Sequence, residues 1–192
     1  MDENQLTGII LSGGKSSRMG REKGLVNFRG KPLISYSIEV LKQLTGTIII
    51  GANNNLEEYK KFGFDVVNDE VEGIGPMGGL LSTLRYSTTD KNLVVSCDTP
   101  FINSGLLQYL MRYMQDYDIV AASHGNGKTE PLCAIYSRNV IPVMEKKVND
   151  GVFKLRSIFQ EVRFRALRVD TSLPFYMNRL FYNVNIPEDL NI

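Results

Sequence analysis

The residues best equipped for chemistry crowd into one stretch near the start of the chain, where positions 11–23 read LSGGKSSRMGREK. Gly13 and Gly14 permit a close backbone approach that a Cβ would block, and successive N–H groups in such a loop form a concavity for anions. Lys15, Arg18, Arg21 and Lys23 set four cations within nine residues, against the single acid Glu22. A polyphosphate is the natural guest. Two familiar phosphate motifs fail on spacing. Gly14-Lys15-Ser16 matches the end of a P-loop, but the first glycine of that motif would fall on Ile9, and the stretch carries no dinucleotide G-x-G-x-x-G.

Two carboxylates extend the set. Asp98 follows the apolar run NLVVS and precedes Pro100, which stops the strand. Magnesium is a hard cation held by one or two carboxylates together with substrate phosphates, so Asp98 is the candidate metal ligand. Its plain alternative is to cap a turn or the helix after Phe101. Asp69 follows DVVN in an acidic loop with Glu70 and Glu72. It either hydrogen-bonds a nucleoside sugar or base, supports the metal from behind, or is a solvated loop acid.

These groups need strand ends to hold them. Leu6–Leu11, Thr47–Ala52, Asp65–Asn68, Asn92–Ser96 and Asp118–Ala122 are short apolar runs bounded by turn residues. Continuous rather than alternating apolar runs suit strands covered on both faces. Between them, Leu33–Leu44 repeats apolar residues at spacings of three and four, with Pro32 placed for the first turn. Asn103–Met114 does the same, with Asn103 as N-cap; Met77–Tyr86 and Leu56–Phe62 are weaker helices. Strand–helix alternation from residue 6 to 122 predicts a mostly parallel α/β sheet. Ligands of such sheets sit outside the carboxyl ends of the strands, where Ser12, Gly51, Asp69 and Asp98 fall. After His124 the pattern changes: Glu130–Tyr136 reads as an antiparallel strand, Val152–Phe159 as helical, Ala166–Val169 and Phe181–Val184 as extended. His124, in a Ser-His-Gly-Asn-Gly turn with no second histidine, reads as a surface residue.

Composition excludes several classes. The chain has 192 residues and a net charge of +1, without the basic excess of a nucleic-acid binder. Cys97 and Cys133 are the only cysteines and form no C-x-x-C pair, which excludes a disulfide scaffold and a thiolate zinc site. No apolar run approaches the roughly 20 residues of a membrane helix, and the start is acidic, so a reduced, cytoplasmic, single-domain protein with no membrane partner is expected.

The sequence is similar to the molybdenum-cofactor guanylyltransferases, the MobA-like nucleotidyltransferases. LSGGKSSRMGREK resembles their signature; GKPLI at 30–34, GPMGGLLS at 75–82, CDTPF at 97–101, EPLCAIY at 130–136 and NVNIPEDL at 183–190 come after it in family order. The resemblance implies a Rossmann-like three-layer sandwich of the nucleotide-diphospho-sugar-transferase kind, with a nucleotide-binding part to about residue 122 and an acceptor-binding part from about 123 to 192. It implies transfer of GMP from Mg·GTP to the terminal phosphate of molybdopterin cofactor, with Mg²⁺ as cofactor and pyrophosphate as leaving group. By position it implies that Leu11, Ser12 and Gly13 contact the nucleotide through their backbone, that Lys23 binds phosphate, that Asp69 binds GTP and that Asp98 binds GTP and metal. Lys23, Arg18 and Asp98 are then the catalytic set, and Lys154, Asn183 and Asn185 face the acceptor. Transient contacts with cofactor-biosynthesis proteins or molybdoenzymes belong to the same expectation. Two positions depart from the pattern: Gly51 stands where some members carry a nucleotide-contacting asparagine, with Asn53 two residues on, and Lys154 replaces a family arginine. Gly51 keeps open a cytidylyl or sugar-phosphate transferase of the same fold; a non-catalytic cofactor carrier is the alternative from another class.

Phosphoryl-type transfer needs positioning and charge stabilisation more than a base. From Arg138 to Arg168 eight cations face three acids, which predicts a basic patch beside the nucleotide for an anionic acceptor, or else ordinary solvated faces.

Overall fold

The structure is a computed structural model, and it describes residues 6–12, 22–125 and 127–191. The first strand, β1 (Leu6–Leu11), is buried along its whole length. A 3₁₀ turn at Lys23–Leu25 leads to a small antiparallel hairpin, β2 (Asn27–Phe28) and β3 (Lys31–Pro32), from which α1 (Leu33–Leu41) departs. Then come β4 (Thr47–Gly51), α2 (Leu56–Lys60), β5 (Asp65–Val67), α3 (Pro76–Tyr86), β6 (Lys91–Ser96) and α4 (Ser104–Met111). The last part holds β7 (Ile119–His124), β8 (Lys128–Ser137), α5 (Ile141–Asn149) and β9 (Phe164–Arg168).

Seven strands form one sheet in the order β5-β4-β1-β6-β8-β7-β9. The pairs β5·β4, β4·β1, β1·β6 and β7·β9 are parallel; β8 runs against both β6 and β7. Strand alternation sends successive side chains to opposite faces. Ile10, Ile48, Ile50, Leu93, Val95 and Ile135 meet α1, α2 and α4 on one side, while Ile9, Leu11, Ile49, Val94 and Tyr136 meet α3 and α5 on the other. Two cores around one sheet make three layers, the mostly parallel sandwich expected. Each fully buried Leu or Ile in them contributes roughly 1.5–3 kcal/mol.

Local chemistry sets the helix boundaries. Asn103 caps α4 by accepting from the Leu106 amide at 3.0 Å. The helix predicted to Leu44 ends at Leu41 and continues only as a turn. Residues 152–159 do not form an α-helix; only a 3₁₀ turn, Leu155–Ile158, forms there. Phe181–Val184 is not a strand: it crosses the sheet's carboxyl edge near the end of β6 and pairs with no strand. Helix α5 escaped the pattern because only Met144 in it is fully buried; the readable signals were Ile141, Met144 and Val148 at helical spacing and Pro142 in the first turn.

A third, smaller cluster matters most for function. Phe28 of the hairpin, Leu33 of α1 and Val184 of the C-terminal tail are each buried, with Tyr36, Phe101 and Leu190 packed around them. Phe28 and Phe101 meet edge to face at 5.9 Å, and Phe101 and Tyr182 at 6.5 Å. The tail is thereby pinned beside the end of β6.

Candidate active site

The chain runs outward from β1 to β4 and β5, then returns to the other side of β1 as β6. Helices α1 and α3, which make those connections, pack on opposite faces. A crevice opens at such a reversal, at the carboxyl ends of the strands. The ends of β1 and β6 are tied there: the Cys97 amide donates to Leu11 O at 3.1 Å and the Ser12 amide to Gly51 O at 2.8 Å. The Leu11 carbonyl and Ser12 amide are thus committed to the sheet, so a backbone contact from these two residues falls to the Ser12 carbonyl. Gly13, Gly14, Lys15, Arg18 and Arg21 lie outside the described residues.

Lys23 stands at the start of the 3₁₀ turn, and its ammonium donates to Asp98 Oδ2 at 2.6 Å and to Asn185 Oδ1 at 2.7 Å. Three segments far apart in sequence therefore converge on one cation. Each arm has its own support. Asp98 follows the end of β6, and its carbonyl accepts from the Val184 amide at 2.9 Å. Asn185 is held by Asp189, whose carboxylate accepts from the Asn185 amide at 2.7 Å, the Ile186 amide at 3.0 Å and the Tyr182 hydroxyl. The Tyr182 hydrogen bond, with help from the two amides, holds the Asp189 carboxyl below the usual carboxylate range. Lys23 and Asp98 side chains are each only 17% exposed, so salt screens this pair less than the surface pairs elsewhere.

Asp98 opens into a cleft of about 460 Å³ that is also lined by Glu130, Phe153, Lys154, Arg156 and Asn183. Asp98 Oδ1 has no hydrogen-bond partner among the described residues. No cluster of three or more His, Cys, Asp or Glu side chains occurs among them either. That donor set fits magnesium, which binds through one or two carboxylates and completes its shell with water and substrate phosphate. It does not fit zinc.

Half of the eight cations expected as a basic patch from Arg138 to Arg168 are paired with acids. Lys146 pairs with Asp150, Lys147 with Glu161, Arg163 with Asp118 and Arg168 with Asp170. Only Lys154 and Arg156 line the cleft. Arg156 donates to the Thr129 carbonyl, and Lys154 has no partner among the described residues.

Asp69 stands apart from this group, beyond the end of β5. Three strand spacings separate that end from β6, about 14 Å at ~4.8 Å per strand. Its carboxylate packs over Gly78 and Gly79 at the start of α3, and burial raises its pKa against the opposing effect of Asn53. Asn53 also accepts from the Asp69 amide at 2.8 Å. The departure at Gly51 has a packing reason: a Cβ there would lie 2.9 Å from Leu11 Cδ2 and 3.1 Å from Thr83 Cγ2, inside the α3 core. A side chain reaching the crevice from this strand end must come from farther along, where Asn53 is.

Several residues in and around the cleft escape sequence reasoning. His124 is not a plain turn residue: it ends β7, sits 2.8 Å from Glu130 Oε1 and stacks on Phe181 with ring centroids 4.4 Å apart. Glu130, shared with Lys128, and Phe181 form the far wall. Glu130 and Asp189 could have been found from their motifs, EPLCAIY and NVNIPEDL; Phe181 could not, because its stacking partner His124 comes from another element.

A family model described as the MobA-like NTP transferase domain matches residues 8–167. The "Probable molybdenum cofactor guanylyltransferase" of Flavobacterium johnsoniae is 34% identical over 187 residues, covering 97% of this chain and 95% of that one. The molybdenum cofactor guanylyltransferase of Vibrio parahaemolyticus is 32% identical over 192 residues, covering 99% and 95%. Among solved structures, molybdopterin-guanine dinucleotide biosynthesis protein A of Archaeoglobus fulgidus superposes with a TM-score of 0.81 at 23% identity, over 96% of this chain and 95% of that one.

Proposed function

This chain belongs to the MobA-like NTP transferase family, and from that premise we propose that it transfers GMP from GTP to the terminal phosphate of molybdopterin. An acceptor phosphate oxygen attacks the α-phosphorus of GTP, the bond from that phosphorus to the bridging oxygen breaks, and pyrophosphate leaves. The nucleophile is already an anion, so no base is required; the difficulty is bringing two anions together.

The observation that carries this reading is Lys23 bonded at once to Asp98 and Asn185. A triphosphate approaching the strand ends offers Lys23 a stronger partner than a single carboxylate. Lys23 turns to phosphate and stabilises charge developing at phosphorus, and Asp98 is released to hold the metal. Magnesium, when bound by Asp98 and the phosphates, neutralises charge on the α-phosphate and the departing pyrophosphate. Asn185, freed from Lys23, and Asn183 present amides to the acceptor. Lys154 and Arg156 attract its phosphate across the cleft. Asp69 and Asn53 meet the nucleoside, the end of β1 at Leu11, Ser12 and Gly13 contacts the nucleotide through its backbone, the Ser12 carbonyl as an acceptor, and Arg18 serves the triphosphate. The nucleotide-binding part runs to about residue 122 and the acceptor-binding part comes after it. Among the described residues, no helix is long and apolar enough to cross a membrane.

The test supplies α-labelled GTP or CTP with molybdopterin cofactor and Mg²⁺. Label from GTP should appear in a cofactor dinucleotide, with pyrophosphate released in equal amount. Transfer from CTP at the faster rate overturns the guanylyl assignment, and nucleotide binding without pyrophosphate release overturns the transferase.

A further inference from the structure

One buried ionisable side chain near the site is unused by this chemistry. Helix α2 spans five residues, and its charged members pair on the surface: Lys60 with Glu57, and Lys61, just beyond the helix, with Glu58. Tyr59 turns the other way and is 0% exposed. A buried phenol needs a hydrogen-bond partner. Tyr59 has two, Ser12 Oγ at 2.6 Å and Glu22 Oε2 at 3.4 Å. A phenol carries one proton. The Ser12 bond is the short one and either hydroxyl can be its donor; when Ser12 donates, the phenol proton is left for Glu22. Burial holds the phenol above its ordinary pKa, which keeps the donor in place throughout the working range.

Two more described residues pack against the cluster. The other oxygen of Glu22 accepts from Asn54 Nδ2 at 2.9 Å. Gly24 packs so closely that a Cβ there would lie 2.2 Å from Ser12 Oγ and 2.7 Å from Tyr59 OH. One phenol thus joins the end of β1, fixed to the sheet through the Ser12 amide, to the residue immediately before Lys23.

We propose that Tyr59 is a positioning residue for the transfer reaction: through Glu22 it sets the Lys23 backbone at a fixed place relative to the end of β1, so that the ammonium meets Asp98 and Asn185 and, on exchange of partners, phosphate. The proposal rests on Lys23 being the cation that stabilises the transferring phosphate. A role in packing alone would need the ring and not the hydroxyl, which separates the two explanations.

Tyr59→Phe keeps the ring and removes the proton and oxygen. Its kcat/KM for GTP should fall about tenfold while the acceptor KM stays within about twofold, the loss expected for one buried hydrogen bond at a preorganised site. Ser12→Ala cuts the same link from the strand side and should give a similar loss, so a failure of Tyr59→Phe to fold does not end the test. Ile38→Val lowers the thermal midpoint from a distant part of the same core and should leave kcat/KM unchanged. In a Lys23→Ala background Tyr59→Phe should cost nothing further, because residues acting through one another are not additive. Wild-type kcat/KM in Tyr59→Phe, or an equal loss in both backgrounds, overturns the proposal. If Lys23→Ala itself transfers at the wild-type rate, the role assigned to Lys23 fails and takes the proposal with it, a different result from an inactive Lys23→Ala beside a fully active Tyr59→Phe.

Discussion

The two walls of the cleft follow opposite electrostatic plans. On the wall that we propose meets the nucleotide, charge among the described residues is paired: Lys23 is shared between Asp98 and Asn185, and Glu22 between Tyr59 and Asn54. On the wall that we propose meets the acceptor, Lys154 has no partner among the described residues, and Arg156 is tied only to a backbone carbonyl. Phe153, 41% exposed, and Phe181 give that wall an apolar surface as well. A paired wall holds its groups in place before substrate arrives and acts by exchanging partners. An unpaired wall has no bond to break and works as a landing site. Rate should therefore depend on the first wall and acceptor affinity on the second.

The largest expected effect breaks the paired wall at its acid. Asp98→Asn keeps the shape and removes the charge, and the release of pyrophosphate should fall roughly a thousandfold. Turnover at the wild-type rate with Mg²⁺ would mean that the metal sits elsewhere. Lys23→Ala comes next, with a loss of roughly a hundredfold read mainly in kcat under saturating GTP and acceptor. Replacing Lys154 and Arg156 together by Ala addresses the open wall. The acceptor KM should rise roughly tenfold with the GTP KM unmoved, as for loss of charge-assisted contacts. Equal losses for both substrates would erase the distinction between the walls.

A smaller effect sits at the joint between them. Asp189→Asn weakens the hold on Asn185 and should lower kcat/KM roughly threefold. The pH dependence has a defined sign. The Asp189 pKa is depressed in the folded protein, so its stabilisation is present above the unfolded value of about 3.9 and is lost as pH falls through the folded value. The difference in thermal midpoint between wild type and Asp189→Asn should therefore narrow on going from neutral pH to pH ~3. The smallest effect belongs to the cations paired on the outer surface. Lys146→Ala and Arg163→Ala should leave both KM values and the rate as they are, because exposed pairs contribute little.

Much of this arrangement is written locally. The apolar run Leu6–Leu11, the helical repeat from Leu33 and the Asn103 cap are short-range patterns, and each appears where the residues place it. Asp98 at a strand end is legible for the same reason: a buried run that meets a proline has to stop, and an acid at that stop faces the crevice. The eight cations between Arg138 and Arg168 show the limit, since counting charge says nothing about which carboxylates lie opposite. Asp118, which takes Arg163, is 45 residues away in sequence.

The sequence by itself determined the α/β alternation, the strand ends and the phosphate-seeking composition of residues 11–23, because propensity, hydrophobic period and turn chemistry act over a few residues. Only the tertiary structure decided that Asn185 reaches Lys23 across 162 positions, that Glu22 meets the Tyr59 phenol, and that two of eight basic residues meet the cleft. Those outcomes depend on the small core of Phe28, Leu33 and Val184 and on how the layers pack around the sheet. Contacts of that range come from burial shared among distant segments, which no local pattern encodes.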